Sequence, residues 1–159
     1  MRNSNNLYLG KSGQFAIMAE FLARGWNTCT PDVDVGDDVL VLEDRAGQFK
    51  RVQVKTASAT PKSKGYSALF NISLAQLGKS ISPEIHYVFM VRHKDKWANM
   101  LIINRDTLND LYESLNIGSV SKDKNLMIHI SFEGKTVTCS NVDFSSFIDN
   151  FSEFPPIEH

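Results

Sequence analysis

An α/β sandwich with a mixed sheet is predicted for this chain of 159 residues by three features. Apolar residues recur at helical spacing between Ser12 and Arg24, strand-like apolar runs follow at 39–42 and 49–56, and the remaining elements come in the order strands, helix, hairpin, helix. The length is that of one ordinary domain, so a single domain over residues 1–159 is expected, burying about two-thirds of the surface its unfolded form exposes.

In the first element Ile17 and Phe21, with Met18 and Leu22 beside them, fall on one side of a helix over residues 12–24, and Gly25 stands where a C-terminal cap belongs. Trp26 to Thr30 reads as a short strand ended by Pro31, and an acidic stretch, 32–38, leads into the buried strand 39–42. Arg45 to Gln48 is a turn, after which residues 49–56 alternate with period two. Thr56 to Gly65 is a Ser/Lys/Pro surface loop, and Tyr66 to Leu74 returns to strand character. Two strands, 85–91 and 97–103, flank a charged turn; a second helix is expected from Asp106 to Leu115. Residues 127–138 read as a hairpin turning at Glu133-Gly134, and the aromatic spacing from Phe144 to Phe151 predicts a short final helix.

The composition, 42% hydrophobic and 22% charged, excludes disorder and a disulfide scaffold. With 17 Lys+Arg against 18 Asp+Glu the formal charge is −1, so nucleic-acid contact would have to come from a local patch. Cys29 and Cys139 are far apart and form no Cys-x-x-Cys or Cys/His cluster, which argues against zinc and for a reducing, cytoplasmic setting. No apolar run reaches signal-peptide or membrane-spanning length, so no membrane association is expected.

Chemistry enters with Arg51-Val-Gln-Val-Lys-Thr, where side chains alternate across the strand. Gln53 and Lys55 share one face; Val52 and Val54 share the other. Asp38 stands at the mouth of the strand expected to pair with this one, which would bring a carboxylate beside the amide and the amine. Phosphodiester hydrolysis asks for such a set: a hard divalent cation, Mg2+ or Mn2+, needs oxygen ligands, which Asp38, Gln53 and the Val54 main-chain carbonyl would offer. Lys55 would orient the attacking water and hold the phosphate.

From Gly10-Lys-Ser-Gly-Gln-Phe-Ala-Ile-Met-Ala-Glu-Phe-Leu-Ala-Arg-Gly-Trp through Asp38-Val-Leu-Val to Arg51-Val-Gln-Val-Lys-Thr, the chain resembles the N-terminal core of PD-(D/E)XK nucleases, nearest to small restriction-endonuclease-like and Holliday-junction-resolvase-like members. The resemblance implies a restriction-endonuclease-like three-layer αβα core with a central mixed sheet, here followed by the C-terminal hairpin and helix. It implies DNA as substrate, and Asp38, Gln53 and Lys55 as catalytic residues. Two positions depart from the family pattern. The glutamate of the first helix falls on Gln14, and Glu20, six residues on, is turned about 120° away. The acidic member of the (D/E)-x-K pair is Gln53.

Other readings stay open on the sequence. Asp38, Gln53 and Lys55 could form a solvated polar sheet edge, and Gln14 could line the site or be a plain first-turn residue. A module that kept the fold, lost its metal and binds DNA or a protein is the rival function. Lys62 and Lys64, with Lys50 and Arg51, are candidate phosphate contacts, and Tyr66 a candidate base-stacking ring. Asp32 and Asp34 suit turn chemistry better than a metal. His86, His93 and His129 lack partners at ligand spacing. A homodimer is compatible with the chain, the strands 88–91 and 101–103 being apolar enough to serve either a core or an interface.

Overall fold

A computed structural model describes residues 4–33 and 36–159. The elements are α1 (Ser4–Ala23), β1 (Asn27–Cys29), β2 (Val39–Glu43), β3 (Gln48–Ser58), β4 (Thr60–Pro61), β5 (Tyr66–Ser73), α2 (Leu74–Leu77), β6 (Ile85–His93), β7 (Lys96–Trp97), β8 (Leu101–Asn104), α3 (Arg105–Leu115), β9 (Ser119–Val120), β10 (Asn125–Glu133), β11 (Thr136–Cys139) and β12 (Val142–Asp143). The predicted α/β class with a central mixed sheet holds. In that sheet the order is β1-β2-β3-β6, with β7 and β8 on the far edge of β6; β3 and β6 run parallel and the other pairs antiparallel. A second sheet, β12-β11-β10-β5-β4 with β9 beside β10, is antiparallel.

β6 is buried from Ile85 to Val91, as a parallel-paired central strand covered on both faces must be. Tyr87, Phe89 and Val91 pack with Phe70, Ile72, Ile128 and Ile130 of the second sheet and with Leu108 of α3. Val88 and Met90 face the other way, toward Ile17 and Phe21 of α1. The central sheet therefore has α1 and the C-terminal segment on one side. On the other lie the second sheet, α2 and α3, and the expected hairpin, β10–β11, joins that layer by pairing with β5. Because 88–91 and 101–103 are filled by this packing, neither is available as an interface.

Four boundaries differ from expectation, each for a local reason. α1 begins at Ser4 rather than Ser12; its added turns carry the exposed Leu7 and Tyr8, so no buried stripe marks them in the sequence. The loop expected over 56–65 is strand for much of its length, because β3 continues beside β6 as far as the Ser58–Arg92 pair and β4 then opens the second sheet. The single strand expected at 97–103 is broken between β7 and β8, where Met100 N–H turns to Asp149 Oδ1 at 3.1 Å. The final helix contracts to one 3-10 turn, Ser145–Phe147.

Gly13 explains how closely α1 lies on β3. A Cβ at this position would overlap Thr56 Cγ2 and stand 3.2 Å from the Trp97 ring. Glycine to alanine inside a helix ordinarily stabilises by about 1 kcal/mol. Here overpacking reverses the sign: Gly13→Ala should destabilise by about 1–3 kcal/mol, read as a lower urea midpoint with an unchanged m-value.

The C-terminal segment straps α1 to the sheet. Ile157 N–H donates to Arg24 O and Trp26 Nε1–H to Pro155 O, both at 2.8 Å, and Lys50 pairs with Glu153 at 3.2 Å. Beneath it His86 is 6% exposed and packed edge-on to Phe154. Burial, aided by Lys50, lowers its pKa below the ordinary 6.5, outweighing the opposite pull of Glu153. The unfolded chain therefore takes up this proton first as pH falls through about 6.5, and stability falls with it. His86→Leu should flatten the decline in urea midpoint between pH 7.5 and 5.5 that the native chain shows.

Candidate active site

β2 ends, toward its start, at the Val39–Val52 pair, so β3 runs on past it with one edge uncovered by that strand. Asp38 stands at this step. Its own N–H still donates to Val52 O at 2.9 Å, which holds the residue in line with the strand. Its carboxylate turns to the uncovered edge, where Oδ2 accepts from Val54 N–H and from Gln53 Nε2, each at 2.7 Å. A strand residue directs its N–H and C=O to the same edge, so the Val54 carbonyl lies on the Asp38 side.

Val52 belongs to the cluster under α1, so Arg51, Gln53 and Lys55, which alternate with it, face the opposite side. There they line a cleft of about 630 Å³ together with Ser73, Gln76, Lys79, Ile81 and Ile85. Gln53 is 7% exposed and serves both the Asp38 contact and the cleft wall. Arg51 Nε lies 3.1 Å from the buried Asp37 carboxylate, an ion pair that keeps the guanidinium at the cleft. Asp37 is thus a partner for Arg51.

The segment before Asp38 is pinned from two directions. From α1, Gln14 Nε2 donates to Asp38 O at 2.5 Å, and Lys11 Nζ donates to Gln14 Oε1 at 2.8 Å. From α2, Gln76 Nε2 donates to Gly36 O at 2.6 Å, while its Oε1 accepts from the Tyr87 hydroxyl at 3.2 Å. Burial pushes the Tyr87 pKa far above its ordinary value, so the hydroxyl stays protonated and orients the amide. Gly36 has φ +102°, a conformation that requires glycine, and a Cβ there would sit 2.5 Å from Gln76 Nε2 and push that amide off the Gly36 carbonyl.

Of the residues singled out in the sequence, Asp38, Gln53 and Val54 meet within hydrogen-bonding distance, and Lys55 lines the cleft that Gln53 lines. Gln14, which the sequence leaves between two roles, reaches the site through the Asp38 carbonyl. Lys62 and Lys64 do not line the cleft: Lys62 Nζ donates to Ser131 Oγ at 2.9 Å, and Lys64 is exposed nearby in sequence. Lys50 is drawn to Glu153. Tyr66 is stacked by His93 at 4.3 Å and Phe132 at 4.7 Å, so both ring faces are occupied and no base can stack there. Asp32 is exposed, and Asp34 lies outside the described residues. No pattern in the sequence marks Ser73, Gln76 and Lys79, because α2, which carries Gln76 and sets the places of the residues on either side of it, has only four residues and leaves no periodic signal.

Among the described residues no three His, Cys, Asp or Glu side chains cluster as metal ligands. Asp38 Oδ2 is met by N–H groups, those of Gln53 Nε2 and Val54; the oxygens that the same three residues offer a cation are the Asp38 carboxylate, Gln53 Oε1 and the Val54 carbonyl. These are hard oxygens, which suit Mg2+ or Mn2+ and not zinc.

The sequence matches no protein-family model and no curated protein. The structure is similar to that of a bacterial homing endonuclease, I-Ssp6803I, with a TM-score of 0.58 at 16% identity, covering 91% of this chain and 87% of that one. The chain therefore has a nuclease-like αβ fold over nearly its whole length.

Proposed function

We propose that this chain is a metal-dependent endodeoxyribonuclease of the PD-(D/E)XK type, hydrolysing DNA phosphodiester bonds. The observation that carries the reading is the Asp38 carboxylate joined to Gln53 and Val54 at 2.7 Å beside a cleft lined by Arg51, Lys55 and Lys79. Asp38, Gln53 Oε1 and the Val54 carbonyl would hold Mg2+ or Mn2+. When bound, the cation supplies Lewis-acid stabilisation of the phosphate and a more acidic water. Lys55 orients that water and, with Arg51, meets the charge of the phosphate. Gln14 and Gln76 are positioning residues, acting through the Asp38 segment. The fold likeness to an endonuclease supports DNA as the substrate.

The second reading, a module that binds DNA or a protein without cutting, is favoured by one specific feature: the second ligand is the amide of Gln53. The test is incubation of the native chain and Lys55→Ala with linear duplex, single-stranded and branched DNA in Mg2+ or Mn2+. Cleavage by the native chain and a loss of about 10²- to 10³-fold in the variant is expected. Binding without cleavage in either metal would leave the module.

We take residues 1–159 as one domain, since the late strand β10 pairs with β5 and the C-terminal segment packs on α1. Among the described residues no helix is long and apolar enough to cross a membrane. Cys29 and Cys139 are unpaired, which supports the cytoplasm as location. A homodimer would suit cleavage of both strands, through surfaces other than 88–91 and 101–103.

A further inference from the structure

The outward face of the second sheet is covered by no other element among the described residues. Its inward side chains, among them Ile128, Ile130 and Phe132, are buried in the core. Outward stand Asn71 opposite Met127, Leu69 opposite His129, and Ser131 beside Thr138. Leu69 is 51% exposed, and Asn71 and His129 are exposed with it. A shallow depression of about 420 Å³ lies along this face. Its side chains are amide, imidazole, hydroxyl and small apolar groups, none carrying a fixed charge.

Fixed charge gathers at the two ends. Lys122 and Lys124 occupy the turn before β10, and Lys135 the turn after it; Lys62 and Lys64 stand beside that second end, where Lys62 reaches Ser131. Against these five exposed lysines stand Asp123 and Glu133, and Asp143 opposite Thr138 at the β12 margin of the face. The first end adjoins the cleft. Lys124 O accepts from Leu74 N–H of α2, and Ser73, the last residue of β5, lines the cleft itself.

We infer that this face reads base edges in the major groove of duplex DNA, with the lysines at its ends on flanking phosphates. At Asn71, Met127, Leu69 and His129 the sheet is at most three strands wide, β9, β10 and β5, a ribbon about 10 Å across at about 4.8 Å spacing that enters a groove about 12 Å across. Toward Ser131 it widens to five strands and stays outside the groove. The narrow part of β10, residues 125–129, extends about 17 Å, the rise of about five base pairs. Amide, imidazole and hydroxyl groups are the donors and acceptors that discriminate bases, and Leu69 offers an apolar surface for a thymine methyl. A protein partner fits less well, since the face lacks a large continuous apolar patch. The inference rests on the reading of the cleft as a nuclease site and adds how duplex DNA would be held against it.

The test is selection of bound sequences from a random duplex pool, followed by fluorescence anisotropy at several NaCl concentrations. The native chain should enrich a preferred sequence. Asn71→Ala and His129→Ala should each lose about tenfold for that sequence while keeping the native affinity for random duplex and the native Tm. Lys122→Ala with Lys124→Ala should weaken both duplexes alike and flatten the salt dependence. Native preference retained in the Asn71 and His129 variants, or enrichment of no sequence by the native chain, overturns the inference and leaves the cleft reading standing if cleavage is seen. Absence of both duplex binding and cleavage overturns the two together.

Discussion

Asp38→Asn is expected to lower DNA cleavage by about 10³-fold while leaving the fold intact. The asparagine oxygen can still accept from Gln53 Nε2 and Val54 N–H, which are the contacts that Asp38 Oδ2 makes, so the step between β2 and β3 keeps its geometry. What disappears is the formal charge. A divalent cation held by neutral oxygens alone loses most of its electrostatic attraction, and with it the several kcal/mol of stabilisation that such an ion gives a phosphoryl transition state. At about 1.4 kcal/mol per factor of ten, a loss of three decades is the natural scale. The measurement is single-turnover cleavage across a Mg2+ and Mn2+ titration, with the urea midpoint as control. A rate within tenfold of the native chain would show that Asp38 does not hold the catalytic ion. An unchanged rate with a lowered midpoint would make Asp38 a structural residue.

The parts of this site legible in the sequence are those carried by alternation in a single strand. Gln53 and Lys55 must share a face, whatever the rest of the chain does, and an aspartate at the start of a paired strand must come near them. What could not be read are the contacts made by elements without a repeat of their own. α2 is one turn long, yet it brings Gln76 to Gly36 and places Lys79 in the cleft. Its position depends on β5 joining β10, a pairing between segments more than fifty residues apart that no local pattern encodes. The same cause hides the second sheet. Residues 66–73 and 127–138 each look like ordinary strands in sequence, but nothing in either says which sheet it joins. Gln14 shows a different limit. Its residue type suggests a lost acid, whereas its contact is a donated hydrogen bond to the Asp38 carbonyl, a role in which an amide serves and a carboxylate does not.

Phe154→Ala should produce the largest loss of stability, about 3–5 kcal/mol, with a fall in Tm of roughly 10 °C. Sequence position argues against this, since the residue lies five from the C-terminus. Its surroundings argue for it. Phe154 is fully buried, with ring centroids 4.7 Å from Phe21, 5.0 Å from His86 and 5.8 Å from Trp26. These three come from α1, β6 and the start of the β1 segment, so one side chain closes the cluster beneath α1. Alanine would leave a cavity that rigid aromatic neighbours cannot fill by small shifts. Phe15→Ala is the matched control: the same atoms are removed from the same half of the protein, but Phe15 is 58% exposed and should cost little. The consequence reaches the site because α1, which the C-terminal segment clamps, carries Gln14 against Asp38. In Phe154→Ala the Mg2+ concentration for half-maximal cleavage should therefore rise even at temperatures where the variant remains folded. A Tm shift with no change in the metal requirement would separate the strap from the site and confine its role to stability.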